Sequence, residues 1–248
     1  VTRNTERVQC SRVKYVINHG ATTAPPWATR YLDEVPWYNT PEIIMTSSNK
    51  LMMFNALHDC PVLPVDTTPA RRVAEEWIEQ GSRVMARTMI RSSQGNGIVI
   101  SPDDPLPNAS LYTKVFTGPR VREYRAYIVA GKCVDLVEKR RYTKERRERI
   151  GIESNIYTKL VRAHKNGWAF CRNTFDVNEE DKSTLMDAGT TVAKHFNLGW
   201  GAVDLIASLS DDKELLEVRA IETNSSIGLT NDQTTVDKLA DAWAEVIA

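Results

Sequence analysis

Neither sign of charge is in excess: 32 Lys and Arg stand against 32 Asp and Glu, for a formal net charge of zero. No global field therefore points to nucleic acid or to a membrane surface. Cysteine is sparse, and Cys10, Cys60, Cys133 and Cys171 show no CxxC spacing. That speaks against a zinc site and against the disulfide framework of a small secreted domain, and a reducing, cytoplasmic setting is expected. No apolar run is long enough to span a bilayer, and the opening VTRNTERVQC is polar where a signal peptide would be apolar. His19, His58, His164 and His195 stand alone in the sequence, as structural or surface histidines do, and none is taken as a ligand. There are no repeats, no Walker loop, no Rossmann fingerprint and no obvious nucleophilic triad.

What is present is an ordinary globular composition, 42% hydrophobic and 26% charged over 248 residues. It is enough for one large domain or for two or three lobes around a cleft. VKYVINHG and EIIMTSS read as strands, SSNKLMMFNALHDC as a capped helix, and CPVLPVD as a short buried strand. TPARRVAEEWIEQG reads as a helix, with Thr68 as cap, Pro69 in the first turn and Gly81 at the stop. The opening is thus a small α/β lobe. SRVMART, GIVIS, ASLYTKVF, EYRAYIVAG and KCVDLVEKRRY are five strand-like runs without an intervening helical pattern, an antiparallel section in which IVAGKCV suits a hairpin. After a basic and then mixed stretch, NEEDKSTLMDAGTTVAKHFN predicts a helix with Leu185, Ala188, Val192 and Phe196 on one face. GWGAVDLIASLSDDKELLEVRAIETN predicts two strands joined by an acidic turn, and TTVDKLADAWAEVIA a closing amphipathic helix.

Several stretches could carry chemistry. In AIETNSSIGL, Glu222 and Asn224 lie two apart on a strand end and so share a face. A carboxylate and an amide oxygen side by side suit a hard cation such as Mg²⁺, although a plain Asx-type turn is the simpler explanation of the decapeptide alone. Asp204 sits inside the apolar strand GAVDLIA, a costly place unless it is paired or metal-bound, and a hairpin can bring it beside Glu222. Arg87 ends a strand that leads into Ser92, Ser93, Gln94, Gly95, Asn96 and Gly97. Such a loop can lay backbone N–H groups against phosphates, or be a simple flexible hairpin. Glu123, Arg125 and Tyr127 share one strand face, and Lys139 and Arg141 share another. Long cations at a strand end fit polyphosphate recognition, or protect a solvated edge strand. Residues 139–149 hold seven basic and two acidic residues; contact with nucleic acid through Lys139–Arg149 is the weaker reading beside a solvated or substrate-facing loop.

In this order the pieces resemble the ATP-grasp superfamily. GAVDLI followed by IETNSSIGL looks like its RimK-like and D-alanine–D-alanine ligase branches, whose tail usually reads N-[ST]-[ST]-P-G-[LM]. SSNKLMMFNAL is similar to the segment before the family's lid. The resemblance runs from about Val16 to the C-terminus and is greatest to small phage-encoded members. It implies an α+β ATP-grasp fold, two α/β lobes clamping ATP. A short N-terminal pre-ATP-grasp lobe would span 1–80, a β-rich lid 81–118, and a catalytic subdomain with the metal site 119–248. It implies an ATP- and Mg²⁺-dependent carboxylate–amine ligase working through an acyl phosphate, with two ions expected and Mn²⁺ able to substitute. Lys50 and Arg87 would face the ATP phosphates. Ser92, Ser93, Gly95 and Gly97 would belong to the covering loop. Tyr112, Thr113 and Lys114 would lie near the adenine, and Glu123 would hold the ribose. Lys139, Arg125 and Arg162 would act on the reacting groups, and Asp204, Glu222 and Asn224 would ligate metal. Acid and amine substrates could be small molecules, peptides or protein termini, a homodimer would be in keeping with the family, and a phage protein would work in the host cytoplasm. Three departures are implied: Ile227 replaces the tail Pro, Thr113 replaces an acid before the lysine, and Ala202 replaces the oxyanion-binding Arg of D-alanine–D-alanine ligases. The last leaves that role to Lys139, Arg141 or Arg162. An ATP-grasp kinase of a polyanionic small molecule, or a nucleotide-binding protein with nucleic-acid contacts, are the alternatives.

Overall fold

Turn and capping residues divide the chain into three packed parts. The computed structural model describes residues 13–29, 31, 33–90, 95–172, 175–227 and 232–248, apart from the side chain of Trp27. The first part contains β1 (Val16–Ile17), α1 (Pro26–Thr29), β2 (Trp37–Tyr38), α2 (Pro41–Ser48) and α3 (Lys50–Ala56), with β1 and β2 parallel. EIIMTSS, expected as a strand, is the helix α2. The Thr40 side chain accepts from the Ile43 amide at 3.4 Å, Pro41 occupies the first turn, and Ile44 and Ser47 are buried three residues apart. A capped turn with one buried face outweighs the β preference of the two isoleucines. Asn49 caps α3 in the same way, accepting from the amides of Leu51 and Met52.

The second part is a four-stranded sheet of β3 (Thr67–Thr68), β4 (Val84–Arg87), β5 (Ile98–Ser101) and β6 (Leu111–Lys114), in the order β3-β6-β4-β5, with α4 (Arg71–Glu79) between β3 and β4 in the chain. Ala74 of α4 packs against Val84, Ala86 and Tyr112 on one face of this sheet. Thr68 does not cap α4 directly. It lies in β3, and its hydroxyl accepts from the Ala70 amide at 3.1 Å, so the helix starts three residues later. CPVLPVD is a single parallel bridge between Pro64 and Ala220 rather than a strand.

The third part carries β7 (Arg120–Val129), β8 (Lys132–Arg141), α5 (Lys144–Arg149), α6 (Ile156–Leu160), β9 (Trp168–Cys171), α7 (Glu179–His195), β10 (Trp200–Leu209), β11 (Leu215–Asn224) and α8 (Gln233–Ile247). Its sheet runs β11-β10-β7-β8-β9. The five strand-like runs of residues 82–142 therefore divide between two sheets, and β9 emerges from the mixed stretch where no strand was expected. Ala130 and Gly131, with φ of 48° and 75°, form the two-residue turn whose positive φ values match the strand twist. The expected face of α7 is buried: Leu185, Ala188, Val192 and Phe196 pack with Tyr124, Ala126, Leu136, Val203 and Leu205. Each large apolar side chain there contributes about 1.5–3 kcal/mol. Gly189 lets the helix close in, since a Cβ would stand 2.5 Å from that of Ala126. α8 covers the far end of the opposite face, where Leu239 meets Tyr127, Val129, Val137 and Ala202. Farther along, that face carries Glu123, Arg125, Lys139, Asp204 and Glu222 beside Ile206 and Phe170. Among the described residues no helix is long and apolar enough to cross a membrane.

Candidate active site

Residues directly opposite in antiparallel strands project from the same face. One row of the large sheet reads Glu222, Asp204, Arg125, Val137; the next reads Ile206, Glu123, Lys139, Phe170. Asn224 stands opposite Ala202, one row on. Gly201, at φ 149°, makes this corner possible, because a Cβ would lie 2.2 Å from the Asn224 carbonyl oxygen. The predicted acids and cations of four strands, from two hairpins far apart in the chain, thus meet on one surface.

They meet as ion pairs. The Arg125 fork donates to both Asp204 oxygens, at 2.7 and 2.8 Å. Lys50 Nζ, on α3, donates to Glu222 Oε1 at 2.8 Å, and Lys139 pairs with Glu123. Asn224 Nδ2 donates to Asp204 Oδ2 at 3.2 Å. Burial would raise the Asp204 pKa, but the Arg125 charge and hydrogen bonds outweigh it and hold the carboxyl below its usual range. Burial pushes Glu123 upward, against the pull of Lys139 and Arg162. Two cations lack such compensation. Burial drives both Arg87 and Arg162 down; the charge of Glu222 opposes this at Arg87, and those of Glu123, Glu138 and Tyr124 oppose it at Arg162 without outweighing it. Arg87 Nε is buried with no hydrogen-bond partner, and Arg162 donates to the Val121 carbonyl at 3.3 Å.

Aromatic residues that the sequence reading passed over hold these cations in place. Phe170 lies beneath Arg125 and Lys139, 4.4 and 5.0 Å from its ring centre, and Trp168 lies 5.0 Å from Arg162. A usable signal was the alternation in WAFC, which puts both rings on one strand face.

The lid side is mixed. Gly95 and Gly97 have φ of 73° and 69°, as a tight loop needs; Ser92 and Ser93 lie outside the described residues. The loop rests on α6 and the segment after it. Tyr157 Oη donates to the Gly95 carbonyl at 2.9 Å, Lys165 Nζ donates to Asn96 Oδ1 at 2.6 Å, and a Cβ on Gly95 would be 2.2 Å from Val161. The Tyr112 side chain points away from the cleft into the lid core, where its hydroxyl donates to the Pro107 carbonyl. Thr113 is buried on the other face of β6, with its hydroxyl unpartnered. The backbone of β6 is engaged by β3 and β4. A cavity of about 230 Å³ opens one step later, lined by Lys114–Thr117 and by Glu217 and Arg219 of β11. The basic run forms the end of β8 and α5. Arg146 stacks on Tyr142, and Arg147 donates to the Tyr142 carbonyl.

The donor set fits a hard divalent ion bound together with a polyphosphate. Among the described residues no three His, Cys, Asp or Glu side chains converge on a metal position. Asp204, Glu222 and the Asn224 oxygen, presented by a half-turn of its amide, would leave the remaining positions to phosphate oxygens and water, as Mg²⁺ prefers. The unpartnered Arg87 nitrogen and the under-compensated Arg162 supply the complementary cations.

The four-stranded sheet and the larger five-stranded sheet that bears the carboxylates have the arrangement of the ATP-grasp fold seen in solved structures. No protein-family model matches the chain, and no curated protein matches it. Among solved structures it is similar to D-alanine–D-alanine ligase from Bacillus anthracis complexed with ATP, at 12% identity and a TM-score of 0.57 over 94% of this chain and 78% of that one. It is similar to the ATP-grasp ligase PsnB complexed with minimal precursor, at 13% identity and a TM-score of 0.54 over 86% of this chain. It is also similar to carboxyaminoimidazole ribonucleotide synthase from Aspergillus clavatus complexed with ATP, at 14% identity and a TM-score of 0.55 over 90%. The chain spans 64% of the PsnB chain and 56% of the synthase chain.

Proposed function

We propose that the protein is an ATP- and Mg²⁺-dependent ligase that joins a carboxylate to an amine and releases ADP and phosphate. The observation that carries this is the pairing of Asp204 and Glu222 on one row, with Arg87 and Arg162 nearby and left without a carboxylate. Residues 1–80, 81–118 and 119–248 take the roles of the short N-terminal part, the lid and the catalytic part, except that β3 and α4, within 1–80, belong with the lid sheet. Bound Mg²⁺ would be held by Asp204, Glu222 and Asn224 and would screen the charge of the transferring phosphoryl group. Lys50 and Arg87 orient the phosphates. Glu123 holds the ribose, and the segment from Lys114 onward reads the base. Arg125, Lys139 and Arg162 stabilise the negative charge that develops as a substrate carboxylate oxygen attacks the γ-phosphorus. They do the same when an amine attacks the resulting acyl phosphate, loses its proton and expels phosphate. Fixed cations aimed at developing charge supply the largest catalytic effect in such sites. The seating of Gly95 on α6 keeps water from the acyl phosphate. The solved structures named above include ligases complexed with ATP or with a precursor, which supports a ligase over a kinase; release of free phosphate separates the two.

Calorimetric titration of Mg·ATP into wild type and Asp204→Asn tests the site. Metal-dependent binding that is lost in Asp204→Asn is expected. Equal binding by both proteins would remove Asp204 from the metal site.

A further inference from the structure

Each carboxylate of the cleft already carries a cation of its own: Glu222 has Lys50, Asp204 has Arg125 and Glu123 has Lys139. Lys50 is well anchored. It opens α3 behind the Asn49 cap, its amide donates to the Ile90 carbonyl at 3.4 Å, and the residue is only 8% exposed. We infer that Lys50 and Arg125 are resident counter-ions, standing on Glu222 and Asp204 where metal would stand, and that they exchange partners when nucleotide and metal arrive together. The inference rests on the nucleotide site proposed above and adds an obligatory coupling to it.

A divalent ion arriving alone must approach carboxylates that already hold an ammonium and a guanidinium, with Arg87 close enough to Glu222 for their charges to interact. Like-charge repulsion in a partly buried site then opposes binding. A polyphosphate arriving alone can recruit Lys50 and Arg125 only by stripping them from Glu222 and Asp204, which would then face the phosphates unshielded. When both arrive, the carboxylates turn to the metal and the cations to the phosphates, and no charge is left unpaired. Such coupling is reciprocal: each ligand raises the affinity of the other by the same factor.

The test uses binding alone. ATP in the presence of EDTA, Mn²⁺ without nucleotide, and the two together are titrated into wild type, Glu222→Gln and Lys50→Met, with ATP followed by calorimetry and Mn²⁺ by electron paramagnetic resonance. Wild type should bind either ligand weakly alone and tightly with the other. Glu222→Gln removes the acid that repels phosphate and frees Lys50, so it should bind metal-free ATP about tenfold tighter than wild type, the scale of one charge-assisted hydrogen bond. Lys50→Met should bind Mn²⁺ without nucleotide about tenfold tighter. Metal-free ATP binding in Glu222→Gln no tighter than in wild type would overturn the exchange. So would wild-type Mn²⁺ binding that ignores ATP, and in both cases the nucleotide site itself would stand. Absence of any Mg·ATP binding to wild type would overturn the site and the exchange together. If one variant fails to fold, the other decides.

Discussion

Arg87 Nε is buried without a partner, and an unmade hydrogen bond at a buried donor costs about 1–3 kcal/mol. The guanidinium is also drawn down by burial, with Glu222 the one charge that opposes it. Arg87→Leu should therefore keep or raise the thermal midpoint while weakening Mg·ATP binding about tenfold or more, since a charge-assisted contact is lost. Thermal denaturation and calorimetry on the same samples check both halves, and a lower midpoint with unchanged binding would assign the guanidinium to the fold. Asp176, on the opposite face of the sheet, is the contrasting case. Burial alone would raise its pKa, but hydrogen bonds from Arg122 and Arg140 outweigh that and hold it well below the usual carboxylate range. A depressed folded pKa contributes stability that is present above the unfolded value, near pH 4, and is lost as pH falls through the folded value. Wild type should lose stability below about pH 4 more steeply than Asp176→Asn, as unfolding midpoints across the acid range will show; parallel curves would contradict the coupling.

Elements differ in how plainly their sequences announce them. Asp204 and Glu222 were legible because strand alternation and a hairpin place them with few degrees of freedom, and the face of α7 was legible from helical spacing. α2 was not: its isoleucines favour a strand, and the outcome depended on Thr40 and on what Ile44 packs against. The parity of β6 was equally hidden, since only the position of α4 shows that Tyr112 faces the lid core. The alternation in WAFC shows that Trp168 and Phe170 share a face, but not that β9 pairs with Arg141 and Lys139 across more than twenty-five intervening residues. α6 is a similar case, because its contact with the Gly95 loop spans 62 positions. Tyr157→Phe removes the hydroxyl that donates to the Gly95 carbonyl. It should cost about 1 kcal/mol or less in global stability yet speed hydrogen exchange at the amides of residues 95–98 several-fold. Unchanged exchange there would mean that Val161 and Lys165 hold the loop without it.

Across the whole molecule, the N-terminal part is tied to the five-stranded sheet by Asn39. It is fully buried at φ 71°, and its Oδ1 accepts from the amides of Gly199 and Trp200 at 3.0 and 3.2 Å. Asn39→Ala should lower stability by about 2–4 kcal/mol through lost hydrogen bonds and backbone strain. Asn39→Gly, which relieves the strain, should lose less, and equal losses in denaturant titrations would exclude a backbone contribution. The sheet order β11-β10-β7-β8-β9 also bears on how the chain is made. Arg125 on β7 and its partner Asp204 on β10 lie 79 positions apart, while β8 follows β7 at once. On the ribosome the β7–β8 hairpin emerges with one edge bare and its arginine unanswered, and it must wait for β10 to fill the gap. The proposed metal corner comes with β11 later still, so a nascent chain can acquire its four-stranded sheet and its cations well before the proposed nucleotide site is complete.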